Sequence, residues 1–233
     1  MSAFRNGFKW VVGTLWIIAV TAGCGQEATG PVLPGDSATE QIDQMVTEAK
    51  VDKTDPNWRT KLPRPHLVTF DPTHAYFARM VTNKGVMRIR LRPDYAPMHV
   101  TNFAYLAKLG FYDGLRFHRV IKRFVVQGGD PIGDGTGGPG YYLKPEIKGN
   151  LNGTHDAAGR LSAANAGPGT DGSQFFLTCR SASWLNGKHI VFGEVAEGMK
   201  TLRALEDAGS SSGDPSELLL MEKVTIEVAE RES

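Results

Sequence analysis

The sequence predicts a mainly β fold, a closed or nearly closed antiparallel barrel with two α-helices capping it. Three observations point there. From about residue 75 onward the apolar runs are short, at 75–82, 86–92, 115–121, 124–127, 161–165, 174–178, 190–196 and 218–228, with turn residues between them; runs of that length and spacing are strands. Only two segments of the same region carry a helical period. The 27 glycines fall in discrete clusters without a fixed repeat, which sets aside collagen-like and solenoid architectures. With 233 residues and a net charge of +1, the chain is long enough for one substantial core, and its charge balance offers no basic face for nucleic acid.

The chain opens on Arg5 and Lys9, which precede an apolar run from Trp10 to Ala22. That run is too short to cross a hydrocarbon layer of roughly 30 Å as a helix, and it has the shape of an export signal. Thr21-Ala22-Gly23-Cys24 then resembles the lipobox of bacterial lipoprotein signal peptides, in which the cysteine is lipidated and becomes the mature N-terminus. Thr21 stands where leucine is usual, so processing by ordinary signal peptidase, with Val20 and Ala22 as the small-residue site, is the alternative. Residues 1–23 are expected as a signal peptide and Cys24 as the lipidation site. The protein is then exported to a bacterial cell envelope and anchored to a membrane through its N-terminal lipid rather than spanning it. Gly25 replaces the aspartate that retains some such proteins at the inner membrane, which favours the outer membrane, facing the periplasm. With Cys24 lipidated, the second cysteine, Cys179, has no partner; behind Phe175, Phe176 and Leu177 it reads as a small buried hydrophobe.

Residues 24–72 read as a tether, opened by Gly30, Pro31, Pro34 and Gly35 and punctuated at its end by Pro56, Pro63, Pro65 and Pro72, with little to build a core. Inside it, Ser37-Ala38-Thr39-Glu40 has capping-box spacing and Ile42, Met45, Val46 and Ala49 follow at helical intervals. A spacer helix over about 38–50, packing lightly on the domain, is expected. The folded domain is placed at 73–233. Asn83-Lys84-Gly85 suits a tight hairpin between its first two strands. Pro97 opens a helix with Val100, Phe103, Ala104, Leu106 and Ala107 along one apolar side, and Gly110 stops it. A second helix over about 198–207 is carried by Met199, Leu202 and Leu205.

Several motifs drop out. The glycines at 133–138 match a dinucleotide fingerprint by letter, but Pro139-Gly140-Tyr141-Tyr142 supplies no helix N-terminus to receive a pyrophosphate. The six histidines lack metal-ligand spacing, so neither a metal nor any other cofactor is expected. Ser162 and Ser173 sit in no nucleophile elbow.

What remains is FHRVIKRFVVQGGD at 117–130. As an extended segment it puts Phe117, Arg119 and Ile121 on one face, and past a turn at Lys122 and Arg123 it puts Val125 and Gln127 together. Two polar tips thus enter an apolar surface; taken alone, Arg119 could equally be a structural arginine. With GFYDG at 110–114, LSAANAGPGTDGSQFF at 161–176 and WLNGKHIVFGEV at 184–195, the stretch closely resembles the cyclophilins, the peptidyl-prolyl cis-trans isomerases, in order and spacing over about residues 75–228. The resemblance implies an eight-stranded antiparallel barrel closed by two helices. It places the family's catalytic arginine and glutamine on Arg119 and Gln127, and its proline pocket on Phe124, Val125, Phe176, Leu185 and His189. The backbone-binding strand falls on Ala164, Asn165 and Ala166, with Gln174 lining the groove and Trp184 at its rim. Singly, Phe124, Phe176 and Leu185 would pass for core residues, His189 for a structural histidine and Trp184 for a surface aromatic.

Three positions depart from the family: Val125 replaces a pocket methionine, Ala163 a methionine before Ala-Asn-Ala, and Arg123 a common glycine. The implied partners are proline-containing polypeptides, with a cyclosporin-like ligand testable through Trp184, and the expected state is a monomer. The expected activity is prolyl isomerisation of polypeptides folding in the envelope. The alternative is a proline-peptide binding module or chaperone with the same groove and little catalysis, toward which Val125 leans.

Overall fold

The computed structural model describes residues 32–150 and 152–231. The expected signal peptide and Cys24 lie outside them. Among the described residues nine strands and three α-helices follow one another: β1 (Val32–Leu33), α1 (Ser37–Glu48), β2 (His74–Thr82), β3 (Gly85–Leu91), α2 (Pro97–Lys108), β4 (Arg119–Ile121), β5 (Val125–Gly128), β6 (Arg160–Ala163), β7 (Phe175–Thr178), β8 (Val191–Glu197), α3 (Met199–Asp207) and β9 (Met221–Glu230). They form one antiparallel sheet in the order β1-β9-β2-β3-β8-β6-β7-β5-β4. The mainly β reading therefore holds, with one strand more than the eight the resemblance implies. The extra strand, β1, pairs Val32 with Ala229 inside the stretch expected as a tether.

That stretch is the main correction. Ala38, Ile42, Met45, Trp58, Leu62 and Val68 are all buried in the core. α1 does not pack lightly: one face of it closes over α2, and Lys108 of α2 bonds Asp43 of α1 at 2.8 Å. Further along, Arg59 donates to the carbonyls of Phe111 at 2.7 Å and Asp113 at 2.9 Å, and the Leu62 amide donates to Pro139 at 3.0 Å. The prolines fix an irregular path across the domain surface rather than free the chain from it.

The N-cap of α1 also lies one residue earlier than expected. Asp36, in extended conformation, accepts from the Thr39 amide at 3.0 Å while Thr39 Oγ1 accepts from the Asp36 amide at 2.8 Å. The reason is tertiary: the same carboxylate accepts from the Tyr76 hydroxyl and lies 3.1 Å from His74 Nδ1, both on β2. Ser37 could cap the helix but could not reach the sheet with a charge.

The β2–β3 hairpin forms as expected, with Thr82 opposite Gly85 across the Asn83–Lys84 turn. Gly85 needs its φ of 127°, and a Cβ there would stand 2.7 Å from Thr201 Oγ1. α2 begins at Pro97, and its buried residues run from His99 through Ala107. A single apolar side was expected; the helix is covered on two sides, by the sheet and by α1. Phe103 stacks on Tyr112 at 4.9 Å and meets Phe175 edge-on at 5.6 Å, which ties α2 to β7. Cys179 is buried as expected, and burial pushes its thiol up to about 12. That leaves it protonated and inert at neutral pH.

Candidate active site

The site grows from the β4–β5 hairpin. Strand register sets Arg119 directly opposite Gln127 and Ile121 opposite Val125, so the four side chains share one face, while Val120 and Val126 turn into the core. The turn between them holds Arg123 at φ 59°. This left-handed conformation explains why glycine is common at that position; here the Arg123 amide is secured by Glu206 Oε1 at 2.7 Å.

Arg119 Nη1 donates to Gln127 Oε1 at 3.2 Å, Gln127 Nε2 donates to Gln174 Oε1 at 3.0 Å, and Gln174 Nε2 donates to the carbonyls of Gly135 and Gly137, each at 2.9 Å. Each link fixes the next: with its nitrogen committed to Gln174, Gln127 must turn its oxygen toward the guanidinium. Among the described residues no carboxylate pairs with Arg119, and its single hydrogen bond leaves most of its five donors free. Behind it, Gly213 packs so closely that a Cβ would meet Arg119 Cγ at 3.1 Å, and the Gly213 carbonyl accepts from the Val120 amide at 2.7 Å. The glycine-rich 133–138 loop thus has a role unrelated to phosphate, holding the far end of the amide relay.

Of the expected pocket residues, Phe176 stands directly opposite Gln127 in the β5–β7 register, and two aromatic pairs form among them. Phe124 stacks on Trp184 at 5.9 Å, and Phe176 meets His189 edge-on at 5.3 Å. Val125 is only 2 % exposed, whereas Trp184 is 52 % exposed. Leu185 is half-buried on the same turn as Trp184. His189 Nδ1 donates to the Ala163 carbonyl at 3.0 Å, a structural bond that orients the ring.

On the other side of the relay, the Ala164 amide is bonded to Gln174 and the Ala166 amide to Thr170 Oγ1. The Asn165 side chain is held by Asp171 at 2.9 Å, and its main-chain N–H and C=O carry no hydrogen bond among the described residues. The binding strand expected at 164–166 is not one, because β6 ends at Ala163 and the chain turns away with the Ala166 amide on Thr170; Asn165, in this irregular stretch, is the position where a second chain can pair. A cavity of ≈ 370 Å³ lies along it, lined by Gln127, Gln174, Asn165 and Tyr142. A second, of ≈ 620 Å³, lies on the opposite flank and shares Arg119 and Gln127 with His118, Asp134 and the 212–219 loop.

His118 and that loop were missed by the sequence reading. The alternation that puts Arg119 in the groove assigns its neighbour to the other face, but His118 sits before β4 begins and lines the same cavity as Arg119. Both its ring nitrogens are buried without a partner. Burial lowers its pKa, with Arg116 and Arg119 acting in the same direction against Asp130, so the ring is neutral at neutral pH.

The chain matches the family model described as cyclophilin type peptidyl-prolyl cis-trans isomerase/CLD over residues 77–229. It is 43 % identical over 170 residues to peptidyl-prolyl cis-trans isomerase B of Streptomyces anulatus, covering 65 % of this chain and 96 % of that one. It is 44 % identical over 146 residues to peptidyl-prolyl cis-trans isomerase-like 1 of Rhizopus delemar, covering 61 % and 86 %. A crystal structure of a Cryptosporidium parvum cyclophilin type peptidyl-prolyl cis-trans isomerase superposes with a TM-score of 0.62 at 35 % identity, covering 65 % of this chain and 97 % of that one. A second structure of that protein, in the presence of the dipeptide Ala-Pro, gives 0.59 at 34 %, covering 67 % and 99 %.

Proposed function

This chain belongs to the cyclophilin-type peptidyl-prolyl cis-trans isomerases, and from that premise we propose that it isomerises proline-containing polypeptides at a bacterial cell envelope, with Arg119 and Gln127 as its catalytic pair. The X-Pro bond turns slowly because rotation breaks amide resonance, over a barrier of about 20 kcal/mol. No nucleophile or proton transfer is needed; the site must hold the twisted amide better than either planar form. As resonance is lost the prolyl nitrogen regains a lone pair, and a fixed cation with free donors stabilises it. Arg119 is such a cation, and the carrying observation is its lone bond to Gln127, with no carboxylate among the described residues to neutralise it.

Phe124 and Leu185 wall the proline ring over a floor of Phe176 and Val125, with Trp184 at the rim and His189 steadying Phe176. Main-chain pairing with Asn165, between Ala164 and Ala166, lets the substrate sequence vary. The family name of the Ala-Pro structure supports this occupant. The sheet is read as closing toward a barrel, because Arg116 bridges to Leu220 and the Phe117 amide donates to Leu219, tying the approach to β4 back to the approach to β9.

Catalysis is tested by a protease-coupled isomerase assay on the full chain in detergent. Arg119→Ala is expected to lower kcat/KM by a factor of about 100 or more, the scale for losing one preorganised donor. A variant as fast as the parent refutes the assignment. A parent no faster than the uncatalysed reaction, yet binding prolyl peptides, favours the binding-module reading toward which Val125 leans.

For location, the proposal is a lipid on Cys24. Seven residues lie between Cys24 and Val32, the first residue of β1, eight chain steps with a reach of at most roughly 28 Å. A monomeric domain so tethered stays beside the membrane. Wild type is expected in the detergent phase on partitioning and Cys24→Ser in the aqueous phase; identical behaviour rules the anchor out.

A further inference from the structure

Behind the proline pocket lies a buried polar cluster that the isomerase mechanism does not use. His155 is 0 % exposed. Its main-chain amide donates to Asn186 Oδ1 at 2.8 Å and its Nδ1 lies 2.9 Å from the same oxygen. An amide oxygen only accepts, so Nδ1 carries the proton. Nε2 is then the acceptor of the neutral ring, and Ser162 Oγ donates to it at 2.9 Å. Serine, histidine and asparagine in this order have the connectivity of a hydrolase triad, but Ser162 is itself 0 % exposed and no substrate carbonyl can reach it. The cluster needs another explanation.

Its neighbours supply one. The His155 ring lies nearly parallel to Phe176, with centroids 5.9 Å apart and an interplanar angle of 20°. Ser162 sits directly opposite Phe176 in the β6–β7 register and two residues before Ala164. Asn186 follows Leu185 in the turn that carries Trp184. That turn is latched at further points to the same segment: the Ala182 amide donates to the His155 carbonyl at 2.7 Å, and Asn186 Nδ2 donates to Asp156 Oδ1 at 3.3 Å. One imidazole therefore touches the floor of the pocket, the strand beside it and the turn that forms its outer wall.

We propose that His155 is a positioning residue of the isomerase site, locking the turn that bears Trp184 and Leu185 to the strand bearing Ser162 and to the ring of Phe176, so that wall and floor keep one spacing around the proline. The proposal rests on the function given above. A clamp matters here because only half of the substrate bond turns; a pocket that gives way with the rotating half stabilises nothing. Burial lowers the pKa of His155, against the pull of its bond to Asn186, which keeps the ring in the neutral form that the donor–acceptor order requires.

Asn186 gives the cleanest test, because it is exposed and its truncation opens no cavity. In the full chain, with an Ala-Pro tetrapeptide as the probe, Asn186→Ala is expected to lower kcat/KM about tenfold, chiefly through KM, and to broaden the 5-fluorotryptophan resonance of Trp184. Asn186→Asp made together with Asp156→Asn keeps the acceptor oxygen for His155 and reverses the amide–carboxylate bond between the two positions, and is expected to restore both readouts to within about twofold. His155→Phe keeps the stack on Phe176 and loses both hydrogen bonds; combined with Asn186→Ala it should cost no more than the larger single loss, since both act through one latch. The proposal is overturned by an Asn186→Ala protein with unchanged kinetics and an unchanged resonance, by failure of the Asn186→Asp, Asp156→Asn pair to restore them, or by losses that simply add. If the unsubstituted protein lacks isomerase activity, the proposed function fails by itself, while the Trp184 resonance still decides whether the latch exists.

Discussion

At the scale of single residues, an arginine is informative when it has too few partners. Arg160 and Arg92 both meet Glu194, and Arg88 meets Glu227; among the described residues Arg119 meets only an amide. Alternation in the sequence put Arg119 and Gln127 on an apolar face, but whether a carboxylate waited there was a tertiary fact. Arg123 is the opposite case, legible as a departure from glycine with no visible consequence until its φ of 59° is known. A left-handed non-glycine residue costs about 1–2 kcal/mol, against roughly 0.5–1 kcal/mol of extra chain entropy lost by glycine. Arg123→Gly is therefore expected to raise stability by about 0.5–1 kcal/mol in urea unfolding, with the Glu206 bond retained because it uses the backbone amide. An unchanged or lower midpoint contradicts the strain argument. His118 shows where single-residue reading ends: its burial depends on a loop about a hundred residues downstream, and no local pattern carries that.

At the scale of elements, α1 is where sequence and structure part. Its period, length and start within one residue were readable, because they depend on local spacing; its docking was not, because the partner carboxylate lies outside the helix and its target on β2. Asp36 holds both ends of that connection. Burial alone would raise its pKa, but the Tyr76 hydroxyl, the Thr39 amide and His74 together bring it below the ordinary carboxylate value. A carboxyl lowered in the folded state contributes stability that is complete above its unfolded pKa of about 3.9 and is lost as pH falls through the folded value. Asp36→Ala is expected to cost about 1–2 kcal/mol at neutral pH, the scale of a lost N-cap. It should also flatten the fall in stability below about pH 4. Equal acid slopes for the two proteins in urea titrations would show that this latch carries no proton linkage. The β2–β3 hairpin, by contrast, was legible nearly to the residue, since Asn83, Lys84 and Gly85 specify the turn without outside help.

At the scale of the whole molecule, the resemblance to an isolated isomerase domain invites cutting the chain near residue 73, and the packing argues against it. Ala38, Ile42, Met45, Trp58, Leu62 and Val68 are all at most 9 % exposed. Removing them uncovers the outer face of α2, whose Phe103 and Leu106 belong to the same core. Five of the six are large apolar side chains, each worth roughly 1.5–3 kcal/mol when fully buried. Their sum is comparable to the entire net stability of a domain, about 5–15 kcal/mol. β1 goes with them, leaving β9 as an unpaired edge open to another chain. A fragment beginning at residue 30 is expected to fold with the thermal midpoint of the whole chain, and one beginning at 73 to lose most of its stability or aggregate, as read by circular dichroism and light scattering. Equal midpoints would mean that the segment only rests on the domain. Under the anchor proposed above, the same result sets a limit on reach: with α1 built into the core, only the residues between Cys24 and Val32 would separate the domain from the lipid, a span of at most roughly 28 Å.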